Sequence, residues 1–435
     1  MKYALCTSKA RPYISILPIF LFLWFTRLIT RECERVNYLY KRLANNKICL
    51  CKISLNYSID VKVEFFNNIN DISKDQWQAF EKPSCPLMQY EFFKALEDSQ
   101  SITVDKGWQA HHLAISSEEK TLAILPLYIK QHSWGEYVFD WDWAQAYERN
   151  NLDYYPKLVS TIPVTPVPSE KLLSNELDYC EVMSVLIEYC QQNQINSWHL
   201  LFVPEIKPTN STKLPDDVYL RHTVQFHWFN REYENFDHFL ASFTARKRKN
   251  TLKERRSISQ QNIIIEHFIG NEITKKQLDY FYLTYQLTYL KKGHQPHLTY
   301  TFFEQIFQTL PDNILLVIAS RDDDYVACSL FFFDQQHLYG RYWGCSEKVK
   351  NLHFELCYYQ GIEFCIKRNL KVFNPGTQGE HKIQRGFEAV LTYSYHWIKN
   401  VNFKEPIKNY CRQEREQLKR YQAQCLSALP FKKEP

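Results

Sequence analysis

Glu380, His381, Lys382 and Arg385 crowd into six residues directly after Gly379. A carboxylate or an imidazole there can take the proton of an amine. The ammonium and guanidinium can hold phosphate or carboxylate oxygens. Upstream, the stretch H-L-Y-G-R-Y-W-G places Arg341 beside Tyr342 and Trp343, with His353 and Glu355 soon after. Six of the chain's ten glycines also fall between 337 and 396. Glycine marks backbone that turns sharply or lets something approach closely. A base, several cations and free backbone donors for an oxyanion are what acylation of an amine requires. The plain alternative is a glycine turn dressed with solvated charges.

Three other groupings carry chemistry. Asp140, Trp141, Asp142, Tyr147 and Arg149 set acids among indoles, which suits a sugar or a cationic peptide stacked on aromatic faces. His227-Trp228 belongs to the same seam; packing with acid–arginine pairs is the alternative. From Arg246 to Arg256 seven basic residues face one acid, Glu254. That block could grip tRNA or a diphosphate, or be only a solvated helix face. Glu363, inside an apolar helix, fits a salt bridge to a core arginine. His294 and His297 bracket a proline and do not offer metal-ligand spacing, so no metal is expected.

The net charge of +5 hides an uneven distribution. Residues 1–55 take ten of the 53 basic residues and two of the 48 acids, leaving 43 against 46 beyond them. The body is not a generically basic nucleic-acid-coating protein, and any anion site in it has to be local. Thirteen cysteines without a C-x-x-C pair fit reduced thiols in a cytosol. The apolar run Ile14–Phe25 is short for a bilayer span, which needs about 20 residues. Residues 1–58 are expected to be an extension outside the working fold, with 1–55 offering a peripheral membrane contact.

The elements that must position these residues follow from periodicity. From residue 59 the chain reads strand, two helices, strands, helix, strand. From residue 231 it reads strand, two helices, three strands, a helix over 352–367, a short strand, the glycine loop and a closing strand. Asp237 is expected to cap one long helix through Arg256, and a charged helix over 410–421 to form a tail. This predicts an α/β architecture in two similar lobes, 59–230 and 231–400, with a tail over 401–435.

That duplicated order resembles the GNAT (acyl-CoA N-acyltransferase-like) fold doubled as in the Fem peptidyltransferases. The stretches G-W-Q-A-H-H-L, F-D-W-D-W-A-Q-A-Y-E-R, L-H-F-E-L-C-Y-Y-Q and G-T-Q-G-E-H-K-I-Q-R-G-F resemble the FemAB-like predicted N-acyltransferases, the peptidoglycan biosynthesis/recognition family. The resemblance covers about residues 60–400; within it Asn374 replaces the usual acid. It implies a cytoplasmic enzyme passing an acyl or aminoacyl group to an amine on a peptide or sugar acceptor. The donor would be acyl-CoA or aminoacyl-tRNA, with no covalently bound cofactor. A non-catalytic module binding a saccharide-peptide ligand is the alternative.

Overall fold

A computed structural model gives the fold, and it describes residues 61–80, 85–118, 120–207, 213–377 and 379–432. These lie in one compact unit, Ile48–Pro435. The expected extension over 1–58 lies outside the described residues.

The strands of the first half are β1 (Lys62–Phe66), β2 (Trp108–Ala110), β3 (His112–Ser116), β4 (Thr121–Leu125), β5 (Tyr128–Lys130), β6 (Lys157–Ser160), β7 (Leu173–Ser174), β8 (Ser197–Val203) and β9 (Val218–Phe229). Those of the second are β10 (Ile264–Ile269), β11 (Ile314–Arg321), β12 (Asp324–Phe333), β13 (His337–Cys345), β14 (Val372–Asn374) and β15 (Glu388–Ile398). The helices begin with α1 (Lys74–Gln78), α2 (Tyr90–Asp98), α3 (Trp141–Arg149) and α4 (Tyr179–Gln192). They continue with α5 (Phe236–Ala241), α6 (Ala245–Ser259), α7 (Lys275–Leu290) and α8 (Tyr300–Thr309). Then α9 runs over 352–368 with a π turn at Glu355–Tyr359, and α10 is Val401–Ser427.

Each half contains one parallel strand pair bridged by a helix, β6–α4–β8 and β13–α9–β14. The fold is therefore α/β, with a similar element order in the two halves. Its two halves do not own separate sheets. An eleven-stranded sheet runs β10-β11-β12-β13-β14-β9-β15-β8-β6-β5-β2, beside a four-stranded sheet β1-β3-β4-β7. The long strands β9 and β15 pair from Val218 to His227, and each also pairs into the other half, β9 with β14 and β15 with β8. A cut at residue 230 thus falls beside a strand that both halves share.

Strands β11 and β12 are buried on both faces, so their alternate residues enter two cores. Leu316, Ile318 and Leu330 pack with α2, α7 and α8, while Leu315, Val317 and Phe331 pack with α5 and α9. Because α2 belongs to the first half, that core too is common property. Local rules fix several helix starts. Ser73 and Gln76 cap each other at α1, as Thr274 and Gln277 do at α7.

Two expectations change, and one helix is added. The stretch after 235 breaks into α5 and α6, and Asn235 rather than Asp237 supplies the first cap. Helix α3 forms although its N-cap Asp140 makes no capping bond, because that carboxylate is committed elsewhere. Helix α10 starts ahead of Pro406, a residue expected to end rather than sit within a helix. It is a packed layer on β9 and β15, burying Ile407, Cys411 and Cys425. No described helix is long and apolar enough to cross a membrane.

Candidate functional site

Strands β13 and β14 run together for three rungs, His337↔Val372, Leu338↔Phe373 and Tyr339↔Asn374. There β14 stops and the chain turns away through Pro375 and Gly376, the latter at φ +96°. Strand β13 continues alone on that side. On its other side the ladder with β12 slips, so that Gly340 faces Phe331 and Tyr342 faces Leu330. Arg341 is the extra residue of this bulge and stands outside the ladder.

The gap so opened is a cavity of about 140 Å³, lined among others by Gly340, Arg341, Tyr342, Trp343, His353 and Tyr358. A β-carbon on Gly340 would come within 3.3 Å of both Phe331 and Pro375, so glycine keeps it open. The corresponding gap in the first half is filled. Beyond the last rung of β6 and β8, Ser160↔Leu200, the loop after β6 lies along β8, with Ser169 N donating to Phe202 O. Buried Lys171 donates to Val167 O, Ser169 O and Phe202 O there, which seals it. A larger surface hollow, about 560 Å³ near Asp75, Lys120 and Glu176, gathers no comparable set of groups.

The open gap is cationic. Arg341 Nε and Nη2 are buried and have no hydrogen-bond partner among the described residues. Burial draws the Arg341 pKa down to about 10. Lys382 Nζ donates to Gly376 O at 2.7 Å, and burial, then Arg341, lower its pKa to about 7. Three imidazoles stand near. Burial, then Arg341 and Lys382, push His227 to about 3; burial, then His381 and Lys382, push His353 to about 4. His381 is lowered by burial, then by Arg385 and Lys382. His227 and His353 are therefore neutral at pH 7, and His381 is shifted in the same direction.

The π turn matters here. It inserts one residue per turn and brings His353 and Tyr358 together, five residues apart, with rings 5.5 Å from centre to centre. Tyr358 OH in turn lies 2.8 Å from His381 Nε2. His381 folds back over Gly379, whose φ is +118°. No spacing rule in the sequence announces this turn, and Tyr358, Cys357 and Pro375 were not singled out from it.

Other expected residues are placed differently. Glu380 is exposed and accepts from Tyr421 OH of α10 at 2.7 Å. Glu355 is buried in a network, taking bonds from Arg255 Nη2 (2.9 Å) and Gln360 Nε2 (2.7 Å). The same Arg255 pairs with Glu363, as expected of that residue. Arg385 pairs with Glu254 and stacks 3.6 Å over Phe354. So Glu355 and Arg385 tie α6 to the site's floor rather than facing a ligand. Asn374 bonds Gln225 Oε1 and Gly376 N, which fixes the turn.

The first-half cluster is spread around α3. Asp140 is buried against Lys157 and accepts from Tyr154 OH. Tyr147 is buried between Tyr154 and Phe403. Trp141 is half-buried beside Trp134, while Asp142 and Arg149 are exposed. On α6, Arg246, Lys249, Lys253 and Arg256 are exposed.

A family model described as FemAB-like, peptidoglycan biosynthesis/recognition, matches residues 68–433. The chain belongs to the FemAB-like family. No curated protein matches it. Among solved structures, FemX aligns at 11% identity over 79% of this FemAB-like chain and 100% of its own, with a TM-score of 0.45. L-PGS from Bacillus licheniformis aligns at 8% identity over 73% and 95%, with a TM-score of 0.43. A tandem GNAT protein from the clavulanic acid biosynthesis pathway aligns at 7% over 77% and 97%, with a TM-score of 0.38.

Proposed function

We propose that this FemAB-like protein is an N-acyltransferase that passes an acyl or aminoacyl group to an amine in the gap between β13 and β14. The acceptor would be a peptidoglycan-related or other peptide or sugar amine. The observation that carries the reading is the bulge at Arg341, which opens on a gap lined also by His353 and Tyr358, with His381 Nε2 2.8 Å from the Tyr358 hydroxyl. The donor carbonyl lies along the unpaired edge of β13, where backbone N–H groups stabilise its oxyanion. The amine attacks and a C–N bond forms. His381, held by Tyr358, accepts the amine proton. The C–S or C–O bond to the donor then breaks, and the imidazole returns the proton to the leaving thiolate or alkoxide. Glu380 drops out as base because Tyr421 already engages it. Glu355 and Arg385 act as supports.

His381→Ala should lower turnover about 10²- to 10⁴-fold, while Glu380→Gln should change it less than about tenfold. Release of free thiol from acetyl-CoA, or deacylation of mixed aminoacyl-tRNA, reads either donor. A His381→Ala protein with wild-type turnover removes this assignment. A wild-type protein that consumes neither donor favours the binding-module reading instead.

An aminoacyl-tRNA donor would engage the exposed cations of α6. RNA retention should then fall steeply from about 50 to 200 mM salt, and Lys249→Ala with Lys253→Ala should flatten that slope by about two counterions. Retention indifferent to salt would leave acyl-CoA as the donor.

A further inference from the structure

We infer that the acceptor carries an acidic group, carboxylate or phosphate, beside its reacting amine, and that Arg341 in the wall of the gap between β13 and β14, with the charge of Lys382 behind Gly376, holds that group. The inference takes the transfer reading as given when it calls this ligand the acceptor. Binding of the acid group itself needs no turnover.

Two cations meet here, and among the described residues no acid neutralises them. The unpartnered atoms of Arg341 are Nε and Nη2, the side edge of the guanidinium. That edge matches two oxygens of one carboxylate or phosphate through parallel hydrogen bonds. Its other terminal nitrogen lies against Gly376, since a β-carbon there would sit 3.9 Å from Nη1. Lys382 Nζ is bonded to the carbonyl of that same Gly376. Among the described residues neither cation has an ion pair with an acid, whereas Arg221, Arg231, Arg255, Arg321 and Arg385 each have one. Among the described residues no Asp or Glu lines the cavity. Burying cations without a counter-charge is costly, and the cost is recovered when an anion arrives.

Size and place assign the anion to the acceptor. A space of about 140 Å³ admits an acid group and the atoms next to it, not a nucleotide. Arg341 is also the bulged residue, so the anion sits within one side chain of the reacting carbonyl. The phosphates of an acyl-CoA are separated from its thioester by the whole pantetheine arm. An amine with an acid group alongside, as in an amino acid or an aminoalkyl phosphate, fits both demands.

The probes are acetate and inorganic phosphate, titrated into the full chain at about pH 6.5, with heat and tryptophan emission as readouts, Trp343 being in the cavity wall. One of the two should bind saturably, and which one tells carboxylate from phosphate. Arg341→Met should weaken it about tenfold or more, and Arg341→Lys should not restore it because the side-on pair is lost. In anion-free buffer Arg341→Met should melt no lower than wild type, since it removes an unpaired buried cation. Affinity should fall from about pH 6.5 to 8.5 as Lys382 loses its proton. The groups facing Lys382 are Arg341 on β13, Cys357 and His353 on α9, His227 on β9, and His381 and Arg385 on its own turn. If Arg341→Met does not fold, Lys382→Met and the wild-type pH series decide. Neither probe binding, or binding indifferent to both substitutions, overturns the proposal. Anion binding without any acyl transfer would leave this site standing and remove only the transfer reading.

Discussion

Between pH 7.5 and pH 5 the FemAB-like chain should lose about 6 kcal/mol of folding stability. The cause is four buried imidazoles held neutral, His111, His199, His227 and His396. His111 and His227 are pushed down to about 3, and His199 and His396 well below their ordinary value, with burial the leading cause in each. His111 lies between Asn67 Oδ1 and Tyr189 OH. The other pair share an Nδ1···Nδ1 contact of 2.7 Å, in which one ring must donate and the other accept.

The sign follows from proton counts. Below about pH 6.5 the unfolded chain protonates these rings and the folded chain does not. Stability is therefore fully present above that pH and falls as the solution is acidified, by about 2 kcal/mol per ring at pH 5. Glu136 works against this. Burial raises its carboxyl to about 7, so the folded state binds that proton more tightly, which returns about 2 kcal/mol over the same interval. A net loss of about 6 kcal/mol, four rings less Glu136, is a large part of the usual 5–15 kcal/mol of a folded domain. Urea midpoints at a series of pH values measure it. A midpoint that stays level or climbs on acidification would show that these rings are solvated.

Lys157→Met should cost about 3–5 kcal/mol, the largest loss from any single substitution considered. Lys157 is completely buried and its Nζ donates to Ser133 Oγ at 2.7 Å, to Glu136 Oε2 at 2.8 Å and to Asp140. Without it two buried carboxyls face each other, and the nearest remaining cation is Lys130, 4.0 Å from Glu136. Burial already lowers Lys130 to about 7, so it is a weak substitute. The variant should regain stability as pH falls toward 5, because a protonated Glu136 no longer needs a counter-charge. Adding Asp140→Asn should recover part of the loss, since the two sites share one interaction. Equilibrium denaturation within about 1 kcal/mol of wild type would mean that water reaches this cluster.

The sequence by itself determined most of what depends on near neighbours. Apolar runs placed β11, β12 and β15, and the β13–α9–β14 order pointed to a duplicated α/β fold. It also drew attention to 337–396, the stretch that contributes most of the cavity wall. The partner of each charge was another matter. Arg255 meets Glu355 across 100 residues, Glu254 meets Arg385 across 131, and Tyr421 reaches Glu380 across 41. No local pattern encodes such pairings, because they depend on which surfaces the packed sheet brings together. The slip that ejects Arg341 from its ladder and the π turn that carries Tyr358 beside His353 are likewise tertiary. Each changes register by a single residue, which leaves composition and periodicity unaltered yet redirects every side chain around it.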